Sequence, residues 1–203
     1  MKPFLLSKIV PPAALLVLLS FLLAGSSLAA AQKPGVFETI DVELDVVASA
    51  ALGSFEDYWS PSAGGRLELS SPFYAGVIRA GGHLFDNGSS SEDVPSFVGL
   101  WGYLGWSYEW PLPGRFAWSA GLQTGVMYMD FDEEAVPEAR QDETELGFAL
   151  DSRIRYAFAG SWSFVVTGEY RVILTDREIE YVFGGVGLSR TFATPKWLRE
   201  FLE

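Results

Sequence analysis

From residue 40 to residue 48 apolar and acidic side chains alternate: Ile40, Val42, Leu44, Val46 and Ala48 fall on one side, Asp41, Glu43 and Asp45 on the other. A period of two marks a strand with one apolar and one polar face. The same alternation recurs down the chain, and turn residues divide it into eight extended segments. These span about residues 37–51, 65–70, 74–85, 97–110, 115–129, 144–158 and 162–174, with a last segment that ends near Phe192. In the sixth, Leu146, Phe148, Leu150 and Ile154 oppose Glu145, Asp151, Arg153 and Arg155. In the seventh, Phe164, Val166, Tyr170 and Val172 oppose Ser163, Thr167, Glu169 and Arg171.

The connections alternate in length. Residues 52–64, 86–96 and 132–143 form long loops, whereas Ser71-Pro72, Pro111-Leu112-Pro113-Gly114 and Ala159-Gly160-Ser161 read as short turns. Long and short connections in alternation predict an all-β fold, an eight-stranded antiparallel up-and-down β-barrel. Two such barrels compete. A soluble lipocalin-like barrel turns its apolar face inward, and a transmembrane barrel turns it to lipid. Three features select the second. The cations of the polar face are all arginine (Arg66, Arg79, Arg153, Arg155 and Arg171), which suits enclosed pairing with carboxylates. Charges on the apolar face occur at strand ends, at Glu38, Asp130, Glu180 and Arg190, where lipid tolerates them. Trp106, Tyr108, Trp110, Trp118, Tyr128, Tyr156 and Trp162 cluster near strand termini, as interfacial girdles do. The polar face then forms a structural ion network inside the barrel: Asp41, Glu43, Asp45, Glu68, Glu109, Glu145, Asp151 and Glu169 against the five arginines.

The first residues do not belong to this pattern. Lys2 and Lys8, an apolar run from Ile9 to Leu23, and small residues up to Ala31 predict a secretory signal peptide over residues 1–31. A segment 32–36, the barrel 37–192 and a tail 193–203 follow. Cleavage removes two lysines and no acid, so a chain of formal charge −12 becomes more acidic still. That excludes nucleic acid as a partner, because phosphate binding needs clustered Lys and Arg. Cysteine is absent, which excludes thiol chemistry and suits an exported protein held by its strand ladder. No later run is apolar enough for a membrane helix, so any insertion is by strands.

With these residues in view, the chain from Phe37 to Phe192 resembles the small eight-stranded outer-membrane barrels of the outer membrane protein A and outer membrane protein X type. The resemblance implies a monomer in the outer membrane of a Gram-negative envelope, both mature termini periplasmic. It also implies outer-membrane lipids, lipopolysaccharide and the barrel-assembly machinery as partners. Gly187 and Phe192 stand in the glycine and final aromatic places of the assembly signal. Arg190 takes a place that is usually hydrophobic, and the chain runs on beyond the signal. The extension predicts a short amphipathic helix, with Thr194 as cap, Pro195 in its first turn, and Trp197, Leu198, Phe201 and Leu202 on one side. Such a helix suits a place on the periplasmic leaflet.

Candidate chemistry is sparse. His83 is the sole histidine, and with Asp86 and Ser89 to Ser91 it makes a candidate rim site for lipid A modification by acyl transfer or hydrolysis. An excess of acids over bases in the lumen also admits a narrow cation-favouring pore. Asp130, Asp132, Glu133 and Glu134 lack the spacing of a calcium loop, so no metal and no cofactor is expected. The leading expectation is a non-enzymatic barrel with a structural or surface-interaction role, its loops presenting Phe55, Tyr58 and Trp59 outward.

Overall fold

The computed structural model describes residues 35–90, 94–132, 142–175 and 179–202. The predicted signal peptide and most of the third long loop lie outside them. The described elements are β1 (Thr39–Leu52), β2 (Trp59–Pro61), β3 (Gly64–Phe73), β4 (Gly76–Ser89), β5 (Phe97–Pro111), β6 (Phe116–Phe131), β7 (Asp142–Ala159), β8 (Trp162–Ile173), β9 (Ile179–Ala193) and α1 (Lys196–Leu202). All strand pairings are antiparallel, and the order β4-β3-β1-β9-β8-β7-β6-β5 closes through a β4–β5 ladder. The result is a closed eight-stranded up-and-down barrel, in which each of these eight strands has a ladder partner on both sides.

The short β2 lengthens one wall strand. It pairs Trp59 with Ser89 and Pro61 with Asn87, continuing the line of β3 past a break at Ser62 and Ala63. Two expectations about connections are corrected here. Asp86, Asn87 and Gly88 belong to β4, not to a loop, because β2 and β5 supply ladder partners on either side. Ser71-Pro72 is not the turn: β3 runs on to Phe73, which pairs with Gly76, and the chain reverses at Tyr74 and Ala75. Pro72 is tolerated at this end of the wall, its carbonyl accepting the N–H of Phe37 at 3.0 Å. Gly160 (φ 53°) sits in the two-residue connection between β7 and β8, in the left-handed region open to glycine.

Side-chain placement is the inverse of a soluble domain. Leu44, Val46, Leu104, Leu122 and Leu146 are all more than 60% exposed on the outer wall, at 65, 65, 62, 64 and 61%. Glu43, Asp45, Arg66, Glu68, Arg79, Arg153, Glu169 and Arg171 are buried in the lumen. The lumen itself has two layers. Towards the short turns it is ionic. Towards the long loops it is apolar, formed by Val47, Phe85, Trp101, Met127, Ile173, Tyr181 and Phe183.

Glycines make room for the large rings of that layer. The Trp101 indole lies across β6 and β7, where a Cβ added at Gly125 or Gly147 would stand 2.8 or 3.0 Å from its ring. Above it, Phe55 from the 3-10 turn Gly53–Phe55 folds inward, stacking on Trp59 at 4.7 Å and meeting Tyr181 edge-on at 5.2 Å.

Candidate functional site

The ionic layer begins with a conflict that register creates. Glu43 on β1 stands directly opposite Glu68 on β3, two carboxylates side by side on the lumen face. Like charges so placed repel. Arg153 resolves this by reaching across the lumen from β7: its Nη1 donates to Glu43 Oε1 at 2.7 Å and to Glu68 Oε1 at 2.5 Å, and its Nη2 to Glu68 Oε2. Its Nε also donates to Asp151 at 3.3 Å. The Tyr103 hydroxyl adds a donor to Glu68 at 2.6 Å.

The other arginines extend the cluster. Arg66 faces its ladder partner Asp45, donating from Nε at 2.7 Å and again from Nη2, and reaches Thr167 at 2.9 Å and Glu169 at 3.4 Å. Arg79 donates to Asp151 at 3.0 Å and to the Ser119 hydroxyl at 2.8 Å. Arg171 donates to Glu169 from Nε at 2.8 Å and from Nη2 at 2.5 Å. Its guanidinium also lies over the Phe183 and Trp101 rings, 4.3 and 4.6 Å from their centroids, where a desolvated cation is attracted to the ring face. Nearer the short turns, Arg155 donates to Asp41 at 2.6 Å, and Thr191 holds the other oxygen of Asp41 at 2.5 Å.

Eleven of the thirteen residues expected in this cluster are thus brought together. Glu109 and Glu145 make no direct ion pair among the described residues: both are half-buried near opposite ends of the lumen, Glu109 within electrostatic reach of Arg155. The candidate rim site is not assembled. His83 is 1% exposed inside the barrel, stacked on Phe85 at 4.7 Å with its Nδ1 3.3 Å from Arg171 Nη2. Asp86 is exposed on the outer face of the same strand. Three residues apart in a strand, the two side chains point to opposite sides. The surface aromatics are corrected as well. Phe55 is buried at 4% and Trp59 is half-buried, its indole N–H bonded to Pro95 O at 2.8 Å, which leaves Tyr58 exposed.

What the sequence reading missed is the apolar layer. Its signal was present: Phe85, Trp101, Tyr103, Tyr181 and Phe183 occupy odd positions, the same phase as His83 and the charged lumen residues of every strand but β3. At the other end, Gly187 leaves the space that the Asp45 carboxylate fills, because an added Cβ would collide with it. Phe192 is exposed on the wall with the Arg190 guanidinium 4.8 Å from its centroid. In α1, Trp197 and Phe201 are exposed and Leu198 is half-buried.

Among solved structures, the barrel is similar to that of neisserial surface protein A, with a TM-score of 0.63 at 11% identity, covering 78% of this chain and 100% of that one. The chain has the fold of the small eight-stranded outer-membrane barrels. Ail, the attachment invasion locus protein of Yersinia pestis, is similar at a TM-score of 0.48 and 12% identity, over 76% of this chain and 97% of its own. A major outer membrane protein from Thermus thermophilus gives 0.49 and 14%, over 76% and 99%. No protein-family model matches the chain, and no curated protein matches it in sequence.

Proposed function

We propose that this protein spans the outer membrane as a non-enzymatic barrel, with a structural or surface-interaction role for its long-loop end. The observation that carries the reading is the inversion of the wall. A belt of leucine, valine and phenylalanine faces outward while nine charged side chains are withdrawn from solvent. Soluble monomers rarely expose an apolar patch beyond a few hundred Å², and lipid removes that difficulty. Short turns face the periplasm and long loops the exterior in barrels of this class, so both described ends of the barrel, near Thr39 and Ala193, lie on the periplasmic side. The similar neisserial barrel is itself named a surface protein.

Neither alternative gains from the geometry. A lipid-modifying centre needs His83 at the rim beside a carboxylate, and His83 lies in the lumen with Asp86 on the far face of the strand. A pore needs an open section, and Trp101, Met127, Ile173 and Tyr181 are fully buried across the long-loop half.

The test places a charge at mid-wall. Leu104 lies at the centre of β5 and is 62% exposed. In a bilayer, Leu104→Arg costs about 2–4 kcal/mol; on a water-facing surface it would stay within about 0.5 kcal/mol. Urea titration of the chain refolded in liposomes reads the difference. A neutral substitution, or a wild-type chain that is monomeric without detergent or lipid, would overturn the membrane reading.

A further inference from the structure

We infer that α1, together with Arg190, is a binding foot for anionic phospholipid in the leaflet at the short-turn end of the barrel. The inference rests on the membrane reading of the wall and adds a lipid class and a site to it. Among the described residues, outward cations are confined to one end of the barrel, where Glu38 and Glu200 are exposed beside them. Outside the lumen, every described cation lies at the short-turn end: Arg115, Arg190, Lys196 and Arg199. The described outward charges at the long-loop end are carboxylates, among them Asp86, Asp130, Asp142 and Glu180, and Asp130 faces Asp142 directly across the β6–β7 ladder. Among the described residues, Arg190, Lys196 and Arg199 have no ion-pair partner.

Geometry joins these cations to the apolar wall. The Arg190 guanidinium lies over the rings of Trp162 and Phe192, 5.3 and 4.8 Å from their centroids. A cation set on two lipid-facing rings marks the level where hydrocarbon gives way to headgroups. From Phe192 the chain passes to α1 within a few residues, and the Thr194 N–H bonds Glu38 O at 3.0 Å, tying the approach to the helix to the residue that precedes β1. Trp197 and Phe201, four residues apart and so on one helical face, are 69 and 81% exposed. Leu198 and Arg199 are half-buried.

Two large aromatics held at the rim of an apolar wall, with Lys196 beside them, match an interfacial anchor that inserts rings at the acyl boundary and sets cations against phosphates. A second copy of the chain is a poor occupant. A seven-residue helix offers far less than the roughly 1,000 Å² that a stable protein interface buries.

The experiment compares full-length wild type with Trp197→Phe in vesicles of phosphatidylcholine, with and without phosphatidylglycerol, containing lipids brominated at shallow or deep acyl positions. The difference between the two proteins isolates Trp197, and the tryptophans left in the variant report the barrel. The expected result is strong quenching of the Trp197 signal by shallow bromines, increased by phosphatidylglycerol. In a Lys196→Glu/Arg199→Glu variant that increase is lost while quenching of the wall tryptophans is unchanged. If the wall tryptophans are quenched and the Trp197 difference is not, the foot is overturned and the barrel reading stands. A Trp197 signal shielded only at high protein-to-lipid ratio would assign the face to a second copy and overturn the foot equally. If no tryptophan is quenched, the membrane reading fails and the foot with it.

Discussion

Arg153 is bonded to three carboxylates on three different strands, so its removal strands Glu43 and Glu68 against each other in a closed lumen. Breaking a buried pair by taking away one partner costs about 3–5 kcal/mol. Arg153→Met is expected to destabilise the refolded barrel by that amount in urea titration. Arg153→Lys should recover little, because an ammonium lacks the fork that spans two carboxylates. These contacts were legible as a set and not as pairs. Alternation placed Glu43, Glu68 and Arg153 on one face, but which arginine meets which acid depends on register across the lumen. The separation of His83 from Asp86 was fully legible, since an odd interval in a strand puts two residues on opposite faces. Proximity in sequence obscured it.

Strands and turns were read best where the pattern was long. The segments at 97–110 and 162–174 lie within a residue of β5 and β8. The ends near Pro72 and Asn87-Gly88 were misplaced for one reason. Proline and Asn-Gly are turn signals in isolation, and a neighbouring strand overrides them when it supplies ladder partners, as β2 and β5 do for Asn87. The Asn87 side chain even accepts the Tyr181 hydroxyl at 3.0 Å inside the barrel. Turn conformation can be separated from crowding by a matched pair of substitutions. An added Cβ meets nothing within 4 Å at either Gly160 or Gly168, yet Gly160 has φ 53° and Gly168 is an ordinary strand residue. Gly160→Ala is therefore expected to cost about 1 kcal/mol in micelles, and Gly168→Ala to be neutral or slightly stabilising. Equal effects at the two sites would refute the role assigned to the left-handed turn.

At the scale of the whole molecule the lumen is stratified, with the ionic layer closed off from the long-loop end by aromatic rings. Refolded wild type is expected to show no steady conductance in planar bilayers. Trp101→Ala/Phe183→Ala should admit cations through the acid-rich layer beneath, which bilayer recording at high salt would detect. The barrel class was legible because eight alternating segments and alternating loop lengths sum over most of the chain. The stratification was harder to read, because a ring at an odd position looks the same whether it fills a lumen or faces a partner. One feature of the wall also bears on time. The β1–β9 ladder joins Thr39 to Ala193 and Leu52 to Glu180, the longest sequence separation in the sheet, so closing it carries the largest loop entropy and comes last. The ion pairs of Arg153 with Glu43 and Glu68 span the lumen and are expected to form only as that seam shuts. Such late contacts hold the finished barrel and contribute little to its formation, so Arg153 substitutions should speed unfolding while leaving the refolding rate nearly unchanged. The ionic lumen is, in kinetic terms, a latch that sets how long a completed barrel lasts.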